Sequence, residues 1–323
     1  MSAPLLSIRG LVTEIPTARG VVRAVGGLDL DIAAGEAVAL VGESGCGKSM
    51  TALSILRLLR PPASIVAGSV AFEGVDLVGM DEREMRRLRG ARIAMVFQDP
   101  MTYLNPVKTV GHQVAEALIV HRGLDRAGAR AEVARLFERV RLPQPDRTGS
   151  LYPHQLSGGM RQRVMIAMAI SCRPALLIAD EPTTALDVTI QAQIMQLLSE
   201  LRAELGGAML LITHDLGLVA ETCDRVNVMY AGEIVESAPT AEIFAAPQHP
   251  YTAGLLRSTL GIHAPRREFR SIPGQPPDLI APPAGCRFHP RCERAVTRCG
   301  QAVQRVHAGP ASMHRCDVAA GAV

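Results

Sequence analysis

The chain has 323 residues, of which 48% are hydrophobic and 20% charged, so it can form one large domain with a buried core and a smaller second one. A net charge of +3, an aromatic content of 3% and the absence of tryptophan argue against a dedicated nucleic-acid binder. We find no signal-peptide pattern and no run approaching the roughly 20 apolar residues that span a bilayer. The sequence therefore predicts a soluble protein that can still sit on a membrane partner.

Periodicity in the first half of the chain predicts strands that alternate with helices. In chain order we expect strands over residues 7–12, 22–32 and 36–41, a helix over 49–59, a helix over 81–89 and a strand over 92–97. Pro61 and Pro62 are expected to end the first of these helices. From residue 109 to 170 the pattern is helical, with breaks at Gly123, Pro143 and Pro153.

The second half continues the alternation and then changes character. It predicts a strand over 175–179, a helix over 190–204, a strand over 208–213, a hairpin over 225–238 and a helix reaching about 260. This order favours an α/β fold, a parallel core sheet covered by helices, with a helical insertion at about 100–170. After Gly261 proline and arginine become frequent. We therefore expect a main domain over 1–261 and a small irregular extension over 262–323, too poor in apolar residues to fold by burial alone.

A phosphate-loop pattern, G-x-x-x-x-G-K-S, follows the strand over 36–41. Lys48, one of two lysines in the chain, would place its charge on the β- and γ-phosphates of a nucleotide, and the Ser49 hydroxyl would bind Mg²⁺. Backbone N–H groups of such a loop bind phosphate oxygens. The alternative, an ordinary glycine-rich turn, is disfavoured by the strand before the motif and the helix after it. The loop comprises Gly42, Glu43, Ser44, Gly45, Cys46, Gly47, Lys48 and Ser49.

Three polar side chains follow two later strands. Asp180 ends one apolar strand, where its carboxylate can hold Mg²⁺, and Glu181 comes next, where a base could polarise an attacking water. Such a pair is by itself more often a turn or a helix cap, but the phosphate loop favours catalysis. His214 follows the strand over 208–213, and ligands collect at the carboxyl ends of parallel strands. A lone histidine is usually structural; this one suits a contact with the γ-phosphate.

Further motifs complete a set that resembles a known family. Residues 156–163, Leu-Ser-Gly-Gly-Met-Arg-Gln-Arg, look like the ABC signature, and Gln98 and the motif at 185–187 stand at the expected spacing. Over residues 5–260 the order of these motifs resembles the nucleotide-binding subunits of ABC transporters. The resemblance implies a P-loop nucleotide-binding domain with a parallel core sheet, an antiparallel β subdomain and a helical insertion.

The resemblance also implies a mechanism for ATP hydrolysis. Two subunits would close head to tail. Gln98 would sense the γ-phosphate and Mg²⁺, as a further metal ligand beside Ser49 and Asp180. Asp187 would contact the opposite subunit, and His214 would hold the γ-phosphate. ATP on one phosphate loop would meet, from the facing subunit, Ser157, Gly158, Gly159 and Met160.

Within the family, residues 159–169, 182–193 and 249–256 resemble the oligopeptide/dipeptide importer ATPases, a group that also transports nickel chelates. Two departures concern nucleotide binding. Met50, the last residue assigned to the loop, stands where threonine commonly follows the serine. No aromatic residue precedes Phe72, although such subunits usually stack adenine on one near the first strand. Possible substitutes are Arg19, Val21 and Val22.

Four cysteines, Cys286, Cys292, Cys299 and Cys316, lie in the extension. Without an export signal, disulfides are the less favoured use. In this importer family such a tail resembles one that holds a 4Fe–4S cluster, for which four cysteines are expected. Zinc is the alternative, although close C-x₂₋₄-C pairs are missing. A mixed site completed by His289 or His314, and free thiols, also remain open. A metal would hold together an extension that lacks a core.

The resemblance implies partners and a place of action. We expect a second homologous ATPase subunit, two transmembrane permeases and an extracytoplasmic substrate-binding protein, no nucleic acid, and a position at the cytoplasmic face of the cell membrane. Di- and oligopeptides are the expected cargo, with nickel chelates, glutathione or sugars as alternatives. A soluble ABC ATPase acting on DNA or ribosomes would usually carry coiled-coil insertions or two cassettes. A regulatory module that does not hydrolyse ATP is disfavoured by the catalytic residues present.

Overall fold

The computed structural model describes residues 3–184, 187–260, 272–301, 306–309 and 312–316. The strands are β1 (Leu6–Thr17), β2 (Gly20–Ile32), β3 (Ala37–Val41), β4 (Ser64–Phe72), β5 (Val75–Asp76), β6 (Ile93–Val96), β7 (Leu176–Asp180), β8 (Ala208–Thr213), β9 (Arg225–Tyr230), β10 (Glu233–Pro239), β11 (Val306–Gly309) and β12 (Ser312–His314). The helices are α1 (Lys48–Ile55), α2 (Glu82–Leu88), α3 (Pro100–Tyr103), α4 (Val110–Arg122), α5 (Arg126–Arg139), α6 (Pro145–Gly149), α7 (Gly158–Ile170), α8 (Val188–Leu205), α9 (Leu216–Thr222), α10 (Thr240–Ala245) and α11 (Pro250–Leu260).

The chain divides into two compact units. Unit 1 comprises residues within 1–33, 37–79 and 211–323, and unit 2 comprises 34–36 and 80–210. In unit 1, strands β2, β1, β4 and β5 form, in that order, an antiparallel sheet. The inward residues of β1 and β2 are buried and, except for Thr13, apolar, which makes this sheet one wall of the unit's core.

A second group of strands in unit 1 positions the phosphate loop. Its order is β11, β12, β10, β9 and β3, with β3 and β9 parallel and the other pairs antiparallel. All residues of β3 are buried, as expected for a strand covered on both faces. The described part of the extension belongs to this unit, and β12 adds to β10 through the pair Glu236 and His314.

Unit 2 contains a helical region between two parallel strands, β6 and β7. Each break predicted from the sequence appears at a helix boundary. Gly123 caps the end of α4 with a φ of 65°, Pro143 precedes α6, and Pro153 begins a short 3₁₀ helix. Helices α4 to α7 pack on one another around buried side chains that include Phe137 and Leu118.

The structure corrects several predicted elements. Strand β4 was not predicted, because Gly68 interrupts its apolar pattern and its register is set by pairing with the distant strand β1. Helix α1 ends at Ile55 rather than Leu59, with Arg57 at a φ of 50°. The extension was expected to be irregular, yet it contains β11 and β12. Among the described residues, no helix is long and apolar enough to cross a membrane.

Candidate active site

The phosphate loop in unit 1 has a backbone that requires its glycines. Gly42 has a φ of 156° and Gly47 a φ of 111°. A Cβ at Gly42 would lie 2.1 Å from the carbonyl oxygen of Met229, and one at Gly47 would lie 2.2 Å from that of Ala24. Both substitutions would therefore strain the backbone and collide with main-chain atoms. The glycines let the loop pack against β9 and β2 while the exposed Ser44 stands at its outer side.

Lys48 is the first residue of α1 and is almost fully buried, with 5% of its surface exposed. Its ammonium donates to the carbonyl oxygens of Gly42 (2.9 Å) and Glu43 (3.0 Å). These two bonds hold the charge inside the curve of the loop. Cys46 is buried beside it, and burial raises the pKa of the Cys46 thiol, so that it behaves as a packing residue.

Residues from the C-terminal third of the chain hold Glu43. The backbone N–H of Glu43 donates to the hydroxyl of Tyr251 (2.9 Å), which is fully buried. Burial raises the pKa of Tyr251 above its ordinary value, so this hydroxyl stays protonated. The carboxylate of Glu43 accepts two hydrogen bonds from the guanidinium of Arg291, at 2.7 and 3.0 Å. Neither Tyr251 nor Arg291 was predicted to act at the loop, because no local pattern connects them with it.

In unit 2 the structure brings Gln98 and Glu181 together. The side-chain amide of Gln98 donates to the Glu181 carboxylate (3.0 Å), and the Thr184 hydroxyl donates to the same oxygen (2.9 Å). Glu181 has a φ of 44°, an uncommon conformation for this residue type that clusters at functional sites. Asp180 ends β7 with 4% of its surface exposed. Two carboxylates and one amide therefore stand at the end of β7, where the sequence had predicted Asp180 and Glu181.

The signature residues occupy the beginning of α7, also in unit 2. Ser157 is exposed and caps the helix by accepting a hydrogen bond from the N–H of Met160 (3.3 Å). Gly158 is exposed too, and a Cβ at Gly159 would lie 3.1 Å from the Ile190 side chain. Free N–H groups at a helix start favour anions. This end of α7 therefore presents backbone donors to the solvent.

The remaining residues predicted to contact the nucleotide are divided between the two units. Asp187 is exposed and precedes α8, whereas Ala185 and Leu186 of its motif lie outside the described residues. His214 is exposed directly after β8, in unit 1. Ser49 and Met50 are half-buried in the first turn of α1. Their predicted roles stay predictions.

The turn between β1 and β2, where an aromatic residue was missing, is contacted by the extension. Arg19 forms an ion pair with Asp278 (3.3 Å), and the N–H of Arg23 donates to the carbonyl of Leu279 (3.1 Å). Val21 is exposed and Val22 is half-buried. Residues 278–280 thus lie along the turn that the sequence analysis connected with the nucleotide base.

Four cysteines of the extension line one small cavity: Cys286, Cys292, Cys299 and Cys316. His249, which the sequence analysis did not select, lies 3.9 Å from the Cys286 sulfur. Burial lowers the pKa of His249 to about 3 and raises that of Cys286 to about 11. His289 also lines the cavity, whereas His314 does not. No group of three or more described Cys, His, Asp or Glu side chains could hold a metal ion, so the predicted 4Fe–4S cluster, zinc and the mixed site all gain no support from it.

Comparison with known proteins assigns the family. Residues 25–184 match the family model of the ABC transporter, and residues 235–299 match that of the oligopeptide/dipeptide transporter C-terminal region. A probable peptide ABC transporter ATP-binding protein of Sinorhizobium fredii is 52% identical, over 91% of this chain and 89% of its own length. The oligopeptide transport ATP-binding protein of Salmonella typhimurium is 47% identical, over 97% and 93%. This chain belongs to the peptide ABC transporter ATP-binding subunits. It is therefore an ATPase, as its sequence motifs predicted.

Solved structures of ABC ATP-binding subunits are similar to the structure of this chain. A dimeric ATP-binding cassette in a post-hydrolysis state, with ADP and phosphate bound, is similar with a TM-score of 0.66 and 29% identity. The match covers 73% of this chain and 98% of that one. An ABC transporter component from Clostridium perfringens gives a TM-score of 0.63 at 28% identity. The predicted ABC-type fold is confirmed. The boundary predicted at residue 261 stays a prediction.

Proposed function

We propose that this chain binds and hydrolyses ATP to power the import of di- and oligopeptides through a membrane transporter. The phosphate loop carries the proposal: its backbone curves around a buried lysine, Lys48, whose charge is held by two loop carbonyls. An ammonium so placed is a point charge suited to the β- and γ-phosphates. The peptide cargo is proposed from the printed names of the relatives and from the matching C-terminal region.

The other groups receive roles that follow from their chemistry. Ser49 and Asp180 supply oxygen ligands of the kind Mg²⁺ prefers. Glu181 accepts a proton from the attacking water, and Gln98 orients Glu181 and senses the γ-phosphate through its side-chain amide. His214 donates to the γ-phosphate. Hydrolysis then leaves ADP and phosphate, whose release ends the cycle.

Dimerisation completes the proposed site. The exposed start of α7, with Ser157 and Gly158, offers backbone N–H groups to a phosphate bound on another chain. ATP binding would then close two subunits head to tail, with Asp187 contacting the opposite subunit. We propose a homologous second ATPase as that partner, and two permeases with a substrate-binding protein as the rest of the transporter. The chain would then work peripherally, at the cytoplasmic face of the membrane.

Peptide uptake tests the proposed cargo. Cells that lack this chain are expected to take up a labelled tripeptide several-fold more slowly than cells that carry it, because no ATPase would drive the permeases. Expression of the intact chain should restore the rate. The uptake of labelled glutathione and of nickel is measured in the same cells for comparison. Unchanged tripeptide uptake together with lost glutathione or nickel uptake would assign one of the other cargos.

We also propose that the four-cysteine cavity binds a 4Fe–4S cluster. Each thiolate of such a cluster binds a different iron, so the four sulfurs need not converge on one ion as they do around zinc. The support is that all four cysteines line one cavity, and that Cys286 interacts electrostatically with the other three. When bound, the cluster would cross-link the short segments of the extension.

Iron analysis after anaerobic purification tests the cluster. We expect about four iron atoms per chain and broad visible absorbance, both lost in Cys292→Ser because one ligand is removed. Cys172→Ser is the matched control, since Cys172 lies outside the cavity in unit 2. A colourless, iron-free chain, or equal iron in both variants, would refute the cluster.

A further inference from the structure

The C-terminal extension reaches the phosphate loop through Arg291. The guanidinium of Arg291 forms a two-bond ion pair with the carboxylate of Glu43, at 2.7 and 3.0 Å. Only 6% of the Arg291 side chain and 26% of the Glu43 side chain are exposed. A bidentate pair shielded from water in this way restricts both partners more than a surface pair does.

Arg291 is itself held rigidly by the extension. Its guanidinium donates to the carbonyls of Pro273 (2.8 Å) and Ile272 (3.3 Å), and to the hydroxyl of Tyr230 (3.2 Å). The guanidinium also lies 5.9 Å from the centre of the Phe288 ring, within the range of a cation–π contact. The position of Glu43 is therefore set by residues of the extension together with Tyr230 of β9.

Glu43 passes this constraint to the phosphate-binding lysine. Its backbone carbonyl accepts a hydrogen bond from Lys48 (3.0 Å), while its backbone N–H is fixed by Tyr251. The side chain, the N–H and the carbonyl of Glu43 are thus all bonded. A change at the carboxylate is therefore expected to move the peptide group that anchors the ammonium of Lys48.

A second contact acts on the other side of the loop. The guanidinium of Arg287 donates to the carbonyl of Ala231 and forms an ion pair with Glu233 (3.2 Å). The neighbouring N–H of Gly232 donates to the carbonyl of Cys46, within the phosphate loop (2.8 Å). The extension therefore supports the turn on which the loop rests, in addition to Glu43 directly.

From these contacts we infer that Arg291 is a positioning residue for nucleotide binding, and that the extension pre-organises the phosphate loop through the Arg291–Glu43 pair. The inference rests on the proposed ATP site and names a further residue that sets the affinity of this site for nucleotide. A loop whose lysine is already placed binds phosphate without first being ordered. Loss of the pair would weaken nucleotide binding while the groups assigned to hydrolysis in unit 2 remain intact.

The test is the dissociation constant of the Mg²⁺ complex of a non-hydrolysable ATP analogue, measured on the full chain by titration. Arg291→Ala is expected to raise this constant about tenfold, within the usual range for coupled sites. Ser312→Ala is the control: it removes another side-chain contact of the extension, the hydrogen bond that Ser312 donates to Glu242 of α10 (2.6 Å). We expect this control to bind the analogue within about twofold of the wild type.

Glu43→Gln provides a second approach that does not depend on the folding of Arg291→Ala. It keeps the shape of the side chain but removes the charge, and should weaken binding to a similar extent. The double variant should bind no more weakly than either single variant, because both remove the same interaction. The inference would be overturned if the dissociation constant of the double variant rose by the product of the two single effects. Unchanged binding in both single variants would also overturn it. A wild-type chain that does not bind the analogue would instead refute the proposed ATP site.

Discussion

Glu181→Gln is expected to abolish ATP turnover, with a fall in the hydrolysis rate of about 10²- to 10⁴-fold, the usual contribution of a general base. Glutamine has almost the same shape, and its amide oxygen can still accept from Gln98 and Thr184, as the carboxylate does at 3.0 and 2.9 Å. An amide cannot take a proton from water at neutral pH. The geometry should therefore survive while the chemistry is lost.

Phosphate release and ATP-dependent dimerisation measure the two consequences separately. We expect Glu181→Gln to release almost no phosphate and to accumulate as a dimer in ATP and Mg²⁺ during size-exclusion chromatography. Glu200→Gln is the matched control, because Glu200 is an exposed carboxylate of unit 2 that pairs with Arg141 at 2.6 Å. Hydrolysis at the wild-type rate in Glu181→Gln would remove Glu181 from the role of base.

Lys48→Ala is expected to weaken ATP binding about 10- to 150-fold. Hydrogen bonds from a charged donor contribute about 1.5–3 kcal/mol, and each 1.4 kcal/mol corresponds to a factor of ten. The substitution also leaves the carbonyls of Gly42 and Glu43 without the ammonium that they accept from. Both effects act on the loop, so the affinity for ATP should fall independently of any change in the rate of hydrolysis.

The other lysine of the chain is the natural control for this variant. Lys108 is partly exposed and forms an ion pair with Glu116 (3.0 Å) in unit 2. We expect Lys108→Ala to bind a fluorescent ATP analogue as the wild type does. Equal affinities of Lys48→Ala and the wild type would show that the loop does not bind phosphate through this residue.

Local chemistry explains which parts of the site could be predicted. The phosphate loop is one run of residues between a strand and a helix, and its glycines occupy positions such as φ 111° at Gly47. Ser157 caps α7 through a bond to a residue three positions later. Such features depend on neighbours in the chain, so residue type and spacing are enough to reveal them.

Residue type and spacing did not predict strand β4 or the folded structure of the extension. The residues of β4 follow two prolines and contain Gly68, so their own pattern is weak, and the strand exists because it pairs with β1. The extension looked too poor in apolar residues to fold. In the structure it is attached by buried arginines and by Phe288, which packs against Tyr230 and Tyr251.

The sequence by itself was enough to recognise the family, the phosphate loop, the helical insertion and the group of four cysteines. Each of these features consists of contiguous residues or of residue types that recur within one segment of the chain. Only the tertiary structure decided what touches the loop. Arg291 and Glu43 are 248 residues apart, and a pair over that distance depends on how the intervening strands and helices fold. The side chain that fixes Glu43 therefore comes from a segment whose own sequence carries no sign of nucleotide binding.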